Sequence, residues 1–342
     1  MTETSQTQLR PTTVDLAPAI EAKGLTKIYP PDIRAVDGVS FSVRDGEVFG
    51  LLGPNGAGKT TTLKMITTLS KPTSGTLKVF GEDVRKSPEK VRSMLGYVPQ
   101  NISVDADLTG FENLLIFSKL FYVSRVDRKE RITSALEYMG LGDRANELVK
   151  HYSGGMMRRL EIAQALVNRP RILFLDEPSI GLDPYSKRQL WSSVRQLNAE
   201  FGTTIVITTH DMEEADELCE RIAIMDAGKI AVLDSPVALK ESVGGDVVTV
   251  KLTEAAQMDL PEELGKIVSR EPMSFQLMVR NGNDAIPRII DFLSKIGVRT
   301  ESVSTSRPNL DDVFLKYTRK RLDSGSFVSA RAARRSFVRH AR

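Results

Sequence analysis

Cysteine is nearly absent: Cys219 is the single one in 342 residues. A lone thiol excludes an internal disulfide framework and fits a reducing compartment. No apolar run approaches the roughly 18 residues that a membrane-spanning helix needs. The most apolar helical stretch, LLIFSKLFYV, is short and carries Lys119. The opening MTETSQTQLRPTTVDLAP lacks a basic start followed by an apolar core, so it does not read as a secretory signal. Its polar composition predicts a disordered tail over residues 1–18. Histidine is scarce, with three in all. An even basic face is missing too. The net charge is +3, but the segment from Arg319 onward holds eight Lys/Arg and one Asp, which leaves the preceding residues at −4. A mildly acidic body with a basic end is not the pattern of a nucleic-acid reader, and no nucleic-acid partner is expected.

What is present is an ordinary globular composition, 41% hydrophobic and 27% charged. The length suggests one large domain with a smaller one, or two of medium size. From about Ala19 to Asp234, short β-rich runs alternate with helical patterns, which predicts an α/β domain with a largely parallel sheet. EVFGLL, RILFLD and TTIVITT are continuous apolar runs, as expected of strands buried on both faces. Between them a mostly helical insert, about 105–166, contains FENLLIFSKLFYV and DRKERITSALEYMGL with apolar residues at helical spacing. Thr109 is placed to cap the first of these helices. The pattern changes near Ser235 to Gly245. VVTVKL, FQLMV, PRIIDFLSKIG and VRTESVS then predict a small α+β domain over 241–318, after a first domain of 19–240.

GPNGAGKT fits a phosphate-binding loop, since an apolar strand precedes it and a helical pattern follows. In the loop Gly53, Pro54, Asn55, Gly56, Ala57 and Gly58, the glycines would let the backbone N–H groups of the residues other than Pro54 curl around a phosphate, at a helix N-terminus of positive potential. Lys59 would reach the β- and γ-phosphates, Thr60 would ligate Mg²⁺, and Thr61 follows in the first turn. RILFLDEP ends a buried strand on two carboxylates. Asp176 is placed for the Mg²⁺ shell and Glu177 to polarise a water for in-line attack; the alternative is an ordinary acidic strand-to-loop transition. His210 ends TTIVITT at a strand's C-terminal edge, where open α/β sheets bind ligands. It is either a γ-phosphate and water contact or a solvated capping residue. Gln100, after LGYVP, would complete the Mg²⁺ or water shell or be a solvated loop amide. Tyr29, before Pro30 and Pro31, would stack on an adenine ring or pack locally.

YSGGMMRRLEIAQAL raises a separate question. Ser153 is a reasonable N-cap for an amphipathic helix, yet Gly154 and Gly155 cost helix stability beyond what a cap requires. A second anion site at this helix end accounts for them: Ser153 donates its hydroxyl, and the two glycines let their N–H groups approach.

Taken in order, these segments resemble the ATP-binding subunit of an ABC transporter. Tyr29, the Walker A GPNGAGKT, Gln100, the signature YSGGM, the Walker B RILFLDEP, the D-loop SIGLDP with Asp183, and the switch His210 run in the family's sequence over about Ala19 to Asp234. The resemblance implies a P-loop ABC ATPase fold with a helical signature subdomain. It also implies a head-to-tail homodimer sandwiching two ATP molecules with Mg²⁺. Each site would join one chain's Walker A to the other's Ser153, Gly154 and Gly155. The methionine in YSGGM, where most of the family carries glutamine, and PNLDDVFLKYT near the end are similar to the daunorubicin-resistance exporter ATPases. Those work with a separately encoded multi-spanning permease, at the cytoplasmic face of the membrane. Asp311 and Asp312 would complement the dipole of a final helix rather than act in catalysis. The basic tail, 319–342, would lie on anionic lipid or the permease, or be a solvated end.

Other classes remain open in the sequence. A DNA-repair relative would separate its P-loop and signature by a long coiled coil, but Lys59 and Ser153 are only 94 positions apart. A ribosome-acting relative would carry two cassettes, and a P-loop kinase or GTPase would lack YSGGM. An importer would often append a β-barrel-like domain rather than strands flanking PRIIDFLSKIG.

Overall fold

The computed structural model describes residues 18–255 and 260–318. The expectations for the N-terminal tail up to residue 17 and for the basic tail lie outside the described residues. The chain divides into two compact units between Ser235 and Pro236.

The first unit is built on two sheets. Strands β1 (Ile20–Tyr29) and β2 (Ile33–Val43) form a hairpin, followed by β3 (Val48–Leu52) and helix α1 (Lys59–Ile66). Next come β4 (Ser74–Val79), β5 (Glu82–Asp83), α2 (Pro88–Met94) and β6 (Leu95–Val98). Three helices form the insert: α3 (Gly110–Leu120), α4 (Arg128–Tyr138) and α5 (Gly154–Leu166). The chain then alternates β7 (Ile172–Asp176), α6 (Pro184–Phe201), β8 (Thr204–Thr209) and α7 (Met212–Leu218), and closes with β9 (Arg221–Asp226) and β10 (Lys229–Asp234).

The central sheet has the order β10-β9-β3-β8-β7-β6. All its pairings are parallel except β10 with β9. Every residue of β3, β7 and β8 is buried, which is why these runs carry no polar alternation. The antiparallel sheet β2-β1-β4-β5 packs its apolar residues into the same core. Across that core the rings of Phe41 and Phe49 stack with centroids 5.6 Å apart. Because β3, β8, β7 and β6 run in one direction, the segments after each of them emerge at one sheet edge.

The insert begins where Thr109 caps α3. Its hydroxyl accepts the Glu112 N–H while the Glu112 carboxylate accepts from Thr109 N–H and Oγ1–H, a reciprocal capping box. Helix α5 departs from the sequence expectation. An amphipathic pattern puts the polar residues in solvent, yet Arg158, Glu161 and Gln164 are buried along with the apolar ones. They are tolerated inside because each is hydrogen-bonded.

The second unit contains α8 (Pro236–Val243), β11 (Asp246–Leu252), β12 (Lys266–Glu271), β13 (Ser274–Val279), α9 (Gly282–Lys295), β14 (Thr300–Ser306) and α10 (Leu310–Tyr317). Its antiparallel sheet has the order β12-β13-β11-β14. Ile289 and Leu293 of α9 close the apolar face of this sheet over Val248, Val250 and Leu277. Asn309 and Asp312 form a capping box at the start of α10, so Asp312 does structural work there.

Candidate functional site

The loop from Gly53 to Gly58 turns between β3 and α1. Gly56 and Gly58 have φ of +83° and +101°, which only glycine adopts without strain. Gly53 is there for a different reason: a Cβ would sit 2.4 Å from the Met225 carbonyl oxygen. Asn55 and Gly56 face solvent, and the N-terminus of α1 has no side-chain cap, so its first N–H groups stay available to an anion. Lys59 is buried. Its Nζ donates to the carbonyls of Gly53 and Pro54 at 2.8 and 3.3 Å, and lies 3.2 Å from Glu177 Oε1. Thr60 and Thr61 follow in the first turn of α1.

Asp176 ends β7, buried, and its Oδ1 accepts from Thr60 Oγ1 at 3.2 Å and from Thr208 Oγ1 at 2.5 Å. Thr208, on the adjacent strand β8, also accepts the Glu177 N–H through both its carbonyl and its hydroxyl oxygen. These bonds fasten a strained residue, since Glu177 has φ +48°, unusual for anything but glycine. Its buried Oε2 lies 2.8 Å from His210 Nδ1, yet it has no hydrogen-bond partner of adequate geometry. A buried carboxylate oxygen left open is costly unless a water or ligand fills it. His210 itself is half exposed, on the rim beyond β8.

The structure therefore brings the phosphate loop, Lys59, Thr60, Asp176, Glu177 and His210 together at one edge. Gln100 is exposed, two residues past the end of β6, whose Val98 pairs with Leu175. Tyr29 is partly buried at the end of β1, opposite Ile33, with the Lys27 ammonium 4.9 Å from its ring centroid. Asp183 caps α6. Its Oδ1 accepts from the N–H groups of Tyr185 and Ser186, its Oδ2 from the Ser186 hydroxyl, and that hydroxyl leads the bonds that lower its pKa. Within the chain its side chain is already committed.

Ser153 caps α5, accepting the Met156 N–H at 3.3 Å. The two glycines that follow differ. Gly154 is exposed with nothing near its missing Cβ, whereas a Cβ on Gly155 would lie 2.5 Å from Ser186 Oγ and 2.6 Å from Ser186 Cβ. The expectation that both glycines serve an anion's approach leaves out a second demand on Gly155, which the packing of α5 on α6 also requires.

A family model described as "ABC transporter" matches residues 36–180, and one described as "ATP-binding protein DrrA1-3-like, C-terminal domain" matches residues 235–318. The daunorubicin/doxorubicin resistance ATP-binding protein of Streptomyces peucetius is 41% identical over 91% of this chain and 96% of its own length. The Nod factor export ATP-binding protein I of Burkholderia orbicola is 41% identical over 87% of this chain and 96% of its own. The chain belongs to the ABC transporter ATP-binding subunits. Solved cassettes agree in fold. The cbiO1 subunit from Clostridium perfringens superposes with a TM-score of 0.62 at 26% identity, covering 66% of this chain and 93% of its own. A dimeric cassette, MJ0796, in a post-hydrolysis state bound to ADP and Pi gives 0.58 at 30% identity, covering 63% and 98%.

As an ABC ATPase subunit, the chain binds and hydrolyses ATP. Three residues that sequence reasoning did not single out belong to this site. Thr208 bonds Asp176 and Glu177 as described. Tyr97, on β6, has its phenol pushed up to about 12, by burial first and then by the Asp176 carboxylate. Arg158 reaches the same carboxylates' backbone from α5. Their partners are residues distant in sequence, so no local pattern announces them. The threonine run before His210 was the one available hint for Thr208.

Proposed function

We propose that this chain is the ATP-hydrolysing subunit of an exporter, in which two copies close head to tail on two ATP molecules and drive a separate multi-spanning permease. The observation that carries the catalytic part is Glu177, strained, buried and fastened at the sheet edge, with Lys59 Nζ 3.2 Å from its Oε1 and His210 Nδ1 2.8 Å from its Oε2.

In this reading the N–H groups of the Gly53–Gly58 loop and of Thr60 and Thr61 hold the β- and γ-phosphates. Lys59 exchanges its contact with Glu177 for the γ-phosphate and stabilises the charge that develops on it. That exchange frees the Glu177 carboxylate to accept a proton from the attacking water. His210 orients the same water and the γ-phosphate. Tyr29 offers its ring to adenine. Ser153, Gly154 and Gly155, from the other copy, close the γ-phosphate side, and Asp183 sets the start of α6 beside them.

The donor set at Asp176 suits Mg²⁺: it offers oxygen only, and no three-residue cluster of His, Cys, Asp or Glu able to cage a metal occurs among the described residues. Thr60, Asp176 and Gln100 would hold that ion, which when bound neutralises phosphate charge. A permease on another chain is supported by the exporter relatives. No helix among the described residues is long and apolar enough to cross a membrane. We place the subunit at the cytoplasmic membrane face, with the basic residues from Arg319 adding attraction to anionic lipid.

Glu177→Gln tests the reading. ATP binding should persist near parental affinity, hydrolysis should fall by about 10²-fold or more, and an ATP-bound dimer should accumulate in light scattering. Parental turnover by this variant would remove Glu177 from the role of base.

A further inference from the structure

Helix α5 hides a buried ion pair whose arginine bonds the backbone of the catalytic edge. Arg158 has five N–H donors, and each has an acceptor. Its Nε donates to the Pro178 carbonyl at 3.0 Å. Nη1 donates to the Pro99 carbonyl at 2.5 Å and to Glu161 Oε2 at 2.9 Å. Nη2 donates to the carbonyls of Asp176 at 2.9 Å and Glu177 at 3.3 Å. Glu161 in turn takes the Ser103 N–H at 2.6 Å and the Ser103 hydroxyl at 3.0 Å on its other oxygen. Both side chains are 3% exposed or less.

Four of the five acceptors are main-chain carbonyls, and three of these belong to the consecutive residues 176–178. The middle one is the residue with φ +48°. Thr208 fastens the N–H of that residue, and Arg158 fastens the carbonyls before, at and after it. A strained backbone persists only when its surroundings over-determine it. The fourth carbonyl, of Pro99, immediately precedes Gln100. One guanidinium therefore sets the backbone of both segments that border the γ-phosphate side, and it does so from the helix that Ser153 begins.

We infer that Arg158, neutralised and oriented by Glu161, is a positioning residue for ATP hydrolysis: it holds the Asp176–Pro178 backbone and the start of the Gln100 segment in the geometry that aims Glu177 at the attacking water. This rests on Glu177 being the base. A planar fork is needed, because a lysine has three donors on one point charge and cannot span four carbonyls. The pair also ties the end of α5 that would meet the other copy's ATP to the backbone of the base.

Arg158→Lys keeps the positive charge beside Glu161 and is the primary variant, made in the full chain. The expected result is a loss of tenfold or more in kcat, with KM for ATP and the affinity for a non-hydrolysable ATP analogue within about twofold of the parent. Glu161→Gln retains an acceptor for Arg158 and Ser103 and should lose less, again in kcat. A role limited to stability would instead lower the folded fraction and leave kcat per folded molecule unchanged, and that result in both variants overturns the inference. A double-mutant cycle then tests the route. In a Glu177→Gln background, single-turnover hydrolysis should be nearly insensitive to Arg158→Lys, and a full tenfold further loss would show that Arg158 acts other than through Glu177. If Glu177→Gln hydrolyses ATP at the parental rate, it is the base assignment that fails. If Glu177→Gln is inactive and Arg158→Lys is not impaired, the positioning inference alone fails.

Discussion

Two adjacent glycines open α5, and their surroundings assign them different work. Gly154 has open space where a Cβ would go, so alanine there should fold as well as the parent and gain up to about 1 kcal/mol from helix propensity. If it meets the other copy's γ-phosphate, Gly154→Ala should nevertheless lower ATPase turnover. Gly155→Ala drives a methyl into Ser186 and should lower the thermal midpoint by several degrees whether or not nucleotide is present. Thermal melts beside turnover rates separate the two. A midpoint loss in Gly154→Ala, or none in Gly155→Ala, would contradict this division. Met156 fits the same picture: its N–H goes to Ser153, and a thioether offers no donor, so in the proposed dimer the anion grip at this end would fall to Ser153, the Gly154 and Gly155 amides and the helix dipole.

At the scale of elements, α6 and α7 meet through a buried carboxylate. Trp191 Nε1 on α6 donates to Glu214 Oε1 on α7 at 3.1 Å, and burial pushes the Glu214 carboxyl above its ordinary value of 4.5. The folded state therefore binds this proton more tightly than the unfolded state does. Its contribution to stability is favourable at low pH and falls as pH rises from about 4.5 through the raised folded value. Glu214→Gln keeps an acceptor for Trp191 and never ionises. Denaturant unfolding should show a flatter pH dependence across that window, and a variant at least as stable as the parent above neutrality. An unchanged pH slope would mean that the carboxyl is not the group responsible. The same elements show what a sequence discloses. Strands β3, β7 and β8 were legible because double-sided burial leaves an uninterrupted apolar run. The phosphate loop and RILFLDEP were legible because their chemistry is contiguous. The buried polar face of α5 was not, since Arg158, Glu161 and Gln164 recur at helical spacing, as solvent-facing residues also do. Strand β12 was not either, because it is an exposed edge with no burial pattern to leave in KIVSRE. The double duty of Gly155 depends on Ser186, thirty-one positions away.

At the scale of the molecule, the proposed dimer accounts for two anion-binding helix ends on one chain. The phosphate loop and the Ser153 end of α5 are two helix N-termini on one chain suited to an anion, and the proposed dimer would bring both to one γ-phosphate. Two copies related by a two-fold axis would satisfy each chain's loop with the other's α5, in two equivalent sites. The lone native thiol makes this testable. Cys219 is buried, at 6% exposure, and its thiol is pushed far up by desolvation, so the folded chain offers no reactive cysteine of its own among the described residues. Asn55 and Gly154 are both exposed, the first in the phosphate loop and the second at the start of α5. In a Glu177→Gln background that retains ATP, Asn55→Cys with Gly154→Cys should oxidise to a covalent dimer seen at doubled mass on a non-reducing gel. The single substitutions should give none, because each loop would face α5 of the other copy and not the other loop. ATP should promote the bond and its removal should suppress it, and a fluorescent nucleotide checks that the altered loop still binds. Cross-linking that ignores ATP, or that appears with either cysteine alone, would mean that the two helix ends do not share a nucleotide.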